Sequence, residues 1–228
     1  MTARLHVVLC TAIVAAAPAP TSNVLVCYYS QTGHTKALAS AIADGARAVA
    51  GTSVRVSAIE DTDVEADLLT WADAVVIGSP VHYGNVAGAL QSWVEAKWEP
   101  FWTDARFGTK LGAVFATGGG LNQGVEHVIT SLQRLLFSFR VRVLTPDPTR
   151  SGFSSYGAVA ITGTPPFNMS GGAIAQPFAE AAQALGMQVA DVLTSALVGA
   201  AASDVSTGSG RLAASSTSAD PGAPRLVQ

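Results

Sequence analysis

Charge and cysteine are both scarce in this chain of 228 residues. Only 13% of its residues are charged, the formal net charge is −3 and the pI is about 5.7. Lys and Arg are scattered without a basic stripe, so nothing marks nucleic acid as a partner. The two cysteines, Cys10 and Cys27, are too few for a disulfide framework or a cysteine zinc site, and no metal is expected. Cys27 has apolar neighbours and reads as a small core residue rather than a reactive thiol. Long apolar runs are missing too. Mean hydropathy is +0.34, but the excess is mostly Ala and Val. No run reaches the roughly 18 residues that cross a bilayer, so no transmembrane span is expected. The length suits one well-buried domain, and there is no internal repeat.

What is present falls into three regions. In residues 1–20, Arg4 precedes an apolar run from Leu5 to Ala17 that ends in Ala-Pro-Ala-Pro. This has the order of a secretory signal, yet Pro18 and Pro20 follow the best cleavage points, so an uncleaved extension reads equally well. Localisation stays open: targeted by that segment, or cytoplasmic. Residues 23–198 carry alternating strand and helix patterns. From 199 to 228 Ala, Ser, Gly, Thr and Pro dominate, and the expectation is a disordered tail.

Strand patterns fall at Val24–Tyr29, Val54–Ala58, Ala74–Gly78, Leu111–Thr117 and Val141–Leu144. Helical patterns follow near 36–49, 87–98, 125–137 and 172–197. Strands alternating with helices predict an α/β fold, a doubly wound parallel sheet with helices on both faces. The acidic stretch Glu60 to Asp67 reads as a solvated loop.

Three Gly-bearing loops follow the first, third and fourth strands, and in an open parallel sheet ligands bind at that carboxyl edge. In the first, Ser30, Thr32 and Thr35 supply hydroxyls and Gly33 permits close backbone approach. Free N–H groups of the next helix favour an anion there. The Gly-Lys-Ser/Thr ending of a nucleotide loop and a G-x-G-x-x-G are both missing. Gly33 also stands where a cysteine phosphatase built on Cys27 needs an Arg. An ordinary helix start after a strand remains the plain alternative.

Ser30-Gln31-Thr32-Gly33-His34-Thr35, Ser79-Pro80-Val81-His82-Tyr83-Gly84-Asn85 and Thr117-Gly118-Gly119-Gly120 together resemble the three FMN loops of flavodoxin-like proteins. The nearest likeness is to WrbA-type NAD(P)H:quinone oxidoreductases and NADPH-dependent FMN reductases, and Tyr156-Gly157-Ala158 resembles a Tyr-Gly-Ala segment of that family. The resemblance implies a five-stranded sheet of order 2-1-3-4-5. It implies that the first loop holds the FMN phosphate and that Pro80, Val81, His82, Tyr83, Gly84 and Asn85 follow the flavin ring, which Thr117 to Gly120 close from the other side. His82 and Tyr83 are the candidate catalytic residues, although a His in an exposed loop is more often just solvated.

The function implied is hydride transfer from NAD(P)H through FMN to a quinone, by a ping-pong sequence, in a homodimer or homotetramer. Family members carry His-His-Gly beside the flavin where this chain has Phe137-Ser138-Phe139-Arg140. Two alternatives stay open: a flavodoxin-type electron carrier, which the net charge of −3 supports weakly, and, because those histidines are missing, an FMN-binding interaction protein with little activity.

Overall fold

A computed structural model describes residues 21–61, 66–150 and 155–212. The candidate signal segment, 1–20, lies outside the described residues, as does the end of the expected tail from 213 onward.

The strands are β1 (Ser22–Tyr28), β2 (Thr52–Ala58), β3 (Ala74–His82), β4 (Asn85–Val86), β5 (Leu111–Gly118), β6 (Arg142–Val143) and β7 (Ala158–Ile161). The helices are α1 (His34–Arg47), α2 (Ala66–Trp71), α3 (Gly88–Trp98), α4 (Val125–Ser138) and α5 (Gln176–Leu212). The backbone order of the sheet is β2-β1-β3-β5-β6, all parallel, so the doubly wound order that the family resemblance implies holds.

Handedness then places the helices. The crossover from β1 to β2 travels one way along the sheet, whereas β3 to β5 and β5 to β6 travel the other way. Right-handed crossovers therefore put α1 on one face and α3 and α4 on the opposite face. A strand covered on both faces must be apolar throughout. In β1, Val24, Leu25, Val26 and Cys27 are all fully buried, and in β3 the same holds from Ala74 to Ile77. β2, at the sheet edge, alternates instead, with Ser53 and Arg55 exposed. α4 buries Val125, Val128, Ile129, Leu132 and Leu136, a single helical stripe.

Four features differ from the sequence expectation. The fifth strand is split: β6 pairs with Leu111 and Gly112 of β5, and β7 pairs with Phe115 to Gly118. Ala158-Val159-Ala160-Ile161 was hidden because its four apolar residues stand in a Ser/Gly/Thr/Pro-rich stretch too short to show a period. α2 occupies part of the expected acidic loop. β3 continues past Gly78 to His82 and turns back into β4. Finally, α5 starts at Gln176 rather than Gly172 and runs on to Leu212. Residues 199–212 are therefore helical where disorder was expected; Ala200-Ala201-Ala202 supplies strong helix propensity there.

Among the described residues, no helix is long and apolar enough to cross a membrane.

α1 and α5 pack at backbone contact through small residues. A Cβ on Gly45 would lie 2.0 Å from the Gln183 carbonyl oxygen, and one on Gly186 would lie 1.9 Å from that of Ile42. Neither helix backbone can yield without moving off the sheet. Gly45→Ala is expected to destabilise the protein by about 2–3 kcal/mol, read as a lower urea midpoint at unchanged slope. Gly88→Ala, whose Cβ meets nothing within 4 Å, should stay within about 0.5 kcal/mol of the parent.

Candidate functional site

The strand order reverses between β1 and β3, and the carboxyl ends of β1, β3 and β5 carry the three Gly-bearing loops. The first runs from Tyr29 to Gly33. Gly33 adopts φ +93° as the cap of α1, a left-handed conformation that Gly enters at little cost. No side chain caps this helix. Among the described residues, no hydrogen bond uses the N–H groups of Gln31, Thr32, Gly33, His34 or Thr35, whereas Lys36 donates its N–H to the Ser30 hydroxyl at 3.2 Å. The loop thus offers a row of N–H donors at the positive end of a helix dipole, which suits an anion.

The hydroxyls divide their work. Thr35 Oγ1 lies 2.8 Å from Thr117 Oγ1, both residues being buried, so this pair ties the first turn of α1 to the end of β5. Thr117 is also in register with Pro80. One proton of the pair lies between the two oxygens and the other remains to be donated elsewhere. Thr32 and Gln31 are exposed at the loop tip.

The second loop is a tight hairpin. His82 faces Asn85 across it, and Tyr83 (φ 50°) and Gly84 (φ 80°) form its two central residues, both left-handed as such a turn demands. Tyr83 is fully exposed, a costly conformation and a costly exposure for an aromatic residue. Asn85 Nδ2 donates to the Tyr83 carbonyl at 3.1 Å, which closes the turn. Below it, the buried Ser79 hydroxyl accepts the Ala87 N–H at 2.9 Å and donates to the Pro80 carbonyl at 2.7 Å. His82 is not in a solvated loop: it ends β3, half-buried, with its ring edge-on to Tyr29 at 5.8 Å between centroids.

The third loop meets the second through backbone. A Cβ on Gly124 would lie 2.8 Å from the Gly84 Cα. Gly118 and Gly120 are buried and Gly119 is exposed. Their carbonyls are engaged by the segment between β7 and α5, whose last residues from Gly172 on the sequence pattern had placed in the final helix: Thr162 N–H donates to Gly118 O and Gly163 N–H to Gly119 O, each at 2.9 Å. The Thr164 hydroxyl donates to Gly119 O at 3.0 Å. At its other end that segment reaches the first loop, where His34 Nδ1 lies 2.7 Å from the Ala173 carbonyl oxygen. Gly171-Gly172 was the available signal, since paired glycines end helices more often than they begin them.

The stretch Phe137-Ser138-Phe139-Arg140 closes α4 at the end away from the third loop, one helix length of about 20 Å from it. Phe139 is buried against Trp98, Trp102 and Phe107, and Arg140 donates to the Trp102 carbonyl at 2.6 Å. A cleft of about 940 Å³ between α3 and α4 likewise contains none of the candidate residues. Among the described residues, no group of metal-ligating side chains gathers.

Comparison with known proteins gives a consistent likeness. The Flavodoxin domain family matches residues 25–132. A protein of Chromohalobacter salexigens named NAD(P)H dehydrogenase (quinone) is 32% identical over 170 residues, covering 62% of this chain and 84% of that protein. An Aquifex aeolicus protein named flavodoxin is 32% identical over 145 residues, covering 63% and 76%. Among solved structures, a WrbA-like flavodoxin from Agrobacterium tumefaciens superposes with a TM-score of 0.58 at 23% identity, covering 75% of this chain and 97% of that one; this last likeness speaks to the fold.

Cys27, on β1 below the first loop, is fully buried, and burial pushes its thiol from an ordinary 9.0 up to about 12. Burial, followed by the Asp61 and Glu60 carboxylates, raises the Tyr28 phenol as well. The folded state therefore keeps the Cys27 proton where the unfolded chain has lost it. Stability falls as pH rises through that window, from about 9 to about 12, by up to about 1.4 kcal/mol per unit. Urea unfolding across this range should show the decline, and Cys27→Ala should make it shallower.

Proposed function

This chain belongs to the flavodoxin-like family, and we propose that it is an FMN-dependent NAD(P)H dehydrogenase (quinone). The observation that carries the reading is the row of unused N–H groups from Gln31 to Thr35, fastened to the third Gly loop through Thr35 and Thr117. A terminal phosphate matches those donors, and no Arg is needed because the helix terminus supplies the positive potential. The names of the relatives in Chromohalobacter salexigens and Geotalea daltonii, both NAD(P)H dehydrogenase (quinone), support the activity.

FMN, when bound, supplies the capacity to accept and return a hydride. Ser30, Gln31, Thr32, Gly33, His34 and Thr35 hold its phosphate. Pro80 to Asn85 and Thr117 to Gly120 hold its ring between them, where small residues leave a flat slot and backbone N–H groups meet negative charge. His82, edge-on to Tyr29 at the end of β3, would orient a substrate carbonyl or a nicotinamide. Tyr83, fully exposed on a strained turn, offers an aromatic face to a flat substrate. Nicotinamide and quinone use the same slot in turn, which makes the sequence ping-pong.

The Aquifex aeolicus relative named flavodoxin favours a second reading, an electron carrier. One experiment separates them. The protein reconstituted with FMN is mixed anaerobically with NADH or NADPH and then with benzoquinone. A dehydrogenase loses its yellow colour and regains it, with parallel double-reciprocal plots in the steady state. Failure of both nicotinamides to reduce the flavin sinks the enzyme reading and leaves the carrier.

Tyr83 tests the slot itself. Tyr83→Gly relieves a left-handed aromatic residue at a cost of unfolded-chain freedom, so stability should change by less than about 1 kcal/mol. The kcat/KM for quinone should fall about fivefold, through loss of roughly 1 kcal/mol of aromatic contact, read as a raised KM in the steady state.

A further inference from the structure

The segment from Thr162 to Ala173 belongs to none of the three loops, yet it is bonded to two of them. At one end its Thr162 and Gly163 N–H groups and the Thr164 hydroxyl engage the carbonyls of Gly118 and Gly119. Midway, Phe167 packs edge-on against Phe178 of α5, 4.9 Å between ring centroids. At the other end Gly171 and Gly172 take φ +68° and +77°, two successive left-handed residues that turn the chain onto the first loop. There a Cβ on Gly172 would lie 2.8 Å from the Thr32 carbonyl oxygen and 3.0 Å from the Gly33 Cα. The last contact is His34 Nδ1 with the Ala173 carbonyl. That oxygen only accepts, so Nδ1 carries the proton.

We propose that residues 162–173 form a clasp over the site and that His34 is its latch, a positioning residue that holds the cofactor by fixing both loops at once. The proposal rests on the FMN reading above. Its physical core is the planarity of the peptide. In a trans peptide the carbonyl and the following N–H point in opposite directions. Holding the Gly118 and Gly119 carbonyls toward the clasp therefore turns the N–H groups of Gly119 and Gly120 the other way, toward the slot. Release of the latch frees Ala173, lets the clasp move from Gly33 and loosens that aim. His34 thus acts on the ring end of the cofactor, through the clasp, as well as sitting in the phosphate loop.

Three variants of the full chain decide the matter: His34→Ala, His34→Asn, whose Nδ2 can donate where Nδ1 does, and Gly172→Ala, which forces the clasp off Gly33. With FMN and with riboflavin, which lacks the phosphate, dissociation is followed by recovery of flavin fluorescence. The expected result is release of both ligands about tenfold faster in His34→Ala and Gly172→Ala, as for loss of one hydrogen bond, with His34→Asn near the parent. Hydrogen exchange of the ligand-free protein should show the Gly163 amide less protected in the first two variants only. Unchanged release and exchange overturns the clasp. Faster release of FMN with riboflavin unaffected also overturns it, since His34 would then act on the phosphate alone. If the parent retains neither flavin, the FMN reading fails, and the exchange of Gly163 still decides whether His34 latches the segment.

Discussion

The reversal of strand order between β1 and β3 is the constraint on which the rest depends. Parallel strands and right-handed crossovers force the helices on either side of that reversal to opposite faces. The loops that leave β1 and β3 consequently diverge, and it is at this carboxyl edge, where the order reverses, that open parallel sheets take ligands. The core serves this arrangement. β1 and β3 are apolar on both sides because both faces are covered. The α1–α5 pair packs at Gly45 and Gly186 so closely that α1 has little freedom to shift along the sheet. The first turn of α1, with its unused N–H groups, is thereby held still relative to β5.

Holding matters because the site contains little charge. The donors of the first loop are backbone groups, whose direction is set by the chain, and a displacement of the loop misdirects all of them together. The buried Thr35–Thr117 pair opposes such a displacement. It joins elements far apart in sequence through two buried hydroxyls, and an unmade hydrogen bond there costs about 1–3 kcal/mol. The hairpin of Tyr83 and Gly84 works in the opposite sense, spending stability on an exposed aromatic ring in a left-handed conformation. Strain of this kind survives only where surrounding contacts over-determine it, and Ser79, Asn85 and Gly124 provide them.

The parallel sheet and most helices were legible because each depends on local pattern: long apolar runs for β1, β3 and β5, a clear stripe for α4; the strand order came from the family resemblance. The loops were legible because Gly, Ser and Thr at strand ends carry their geometry with them. What was not legible depends on pairing over distance. β7 is four residues whose strand conformation comes from β5, and nothing in Ala-Val-Ala-Ile specifies that partner. The half-burial of His82 comes from β3 extending to meet β4, a consequence of the turn type rather than of hydropathy. Phe137 to Arg140 end α4 as the helical pattern said; what that pattern does not carry is the packing of Phe139 against Trp98, Trp102 and Phe107, which is again pairing over distance.

Topology also accounts for the segment between β7 and α5. β7 ends beside Gly118 on the outer side of β5, while α5 lies on the face of α1 and packs against it. The connection must therefore leave the outer strand at the carboxyl edge and travel back toward β1, which takes it past the third loop and then the first. Its contacts follow in that order: Gly118 and Gly119, then α5 through Phe178, then Gly33 and His34. A shorter connection could not span the two loops, and one without Gly171 and Gly172 could not turn onto the second of them. The same winding that makes the loops diverge thus carries a strand of chain across that edge.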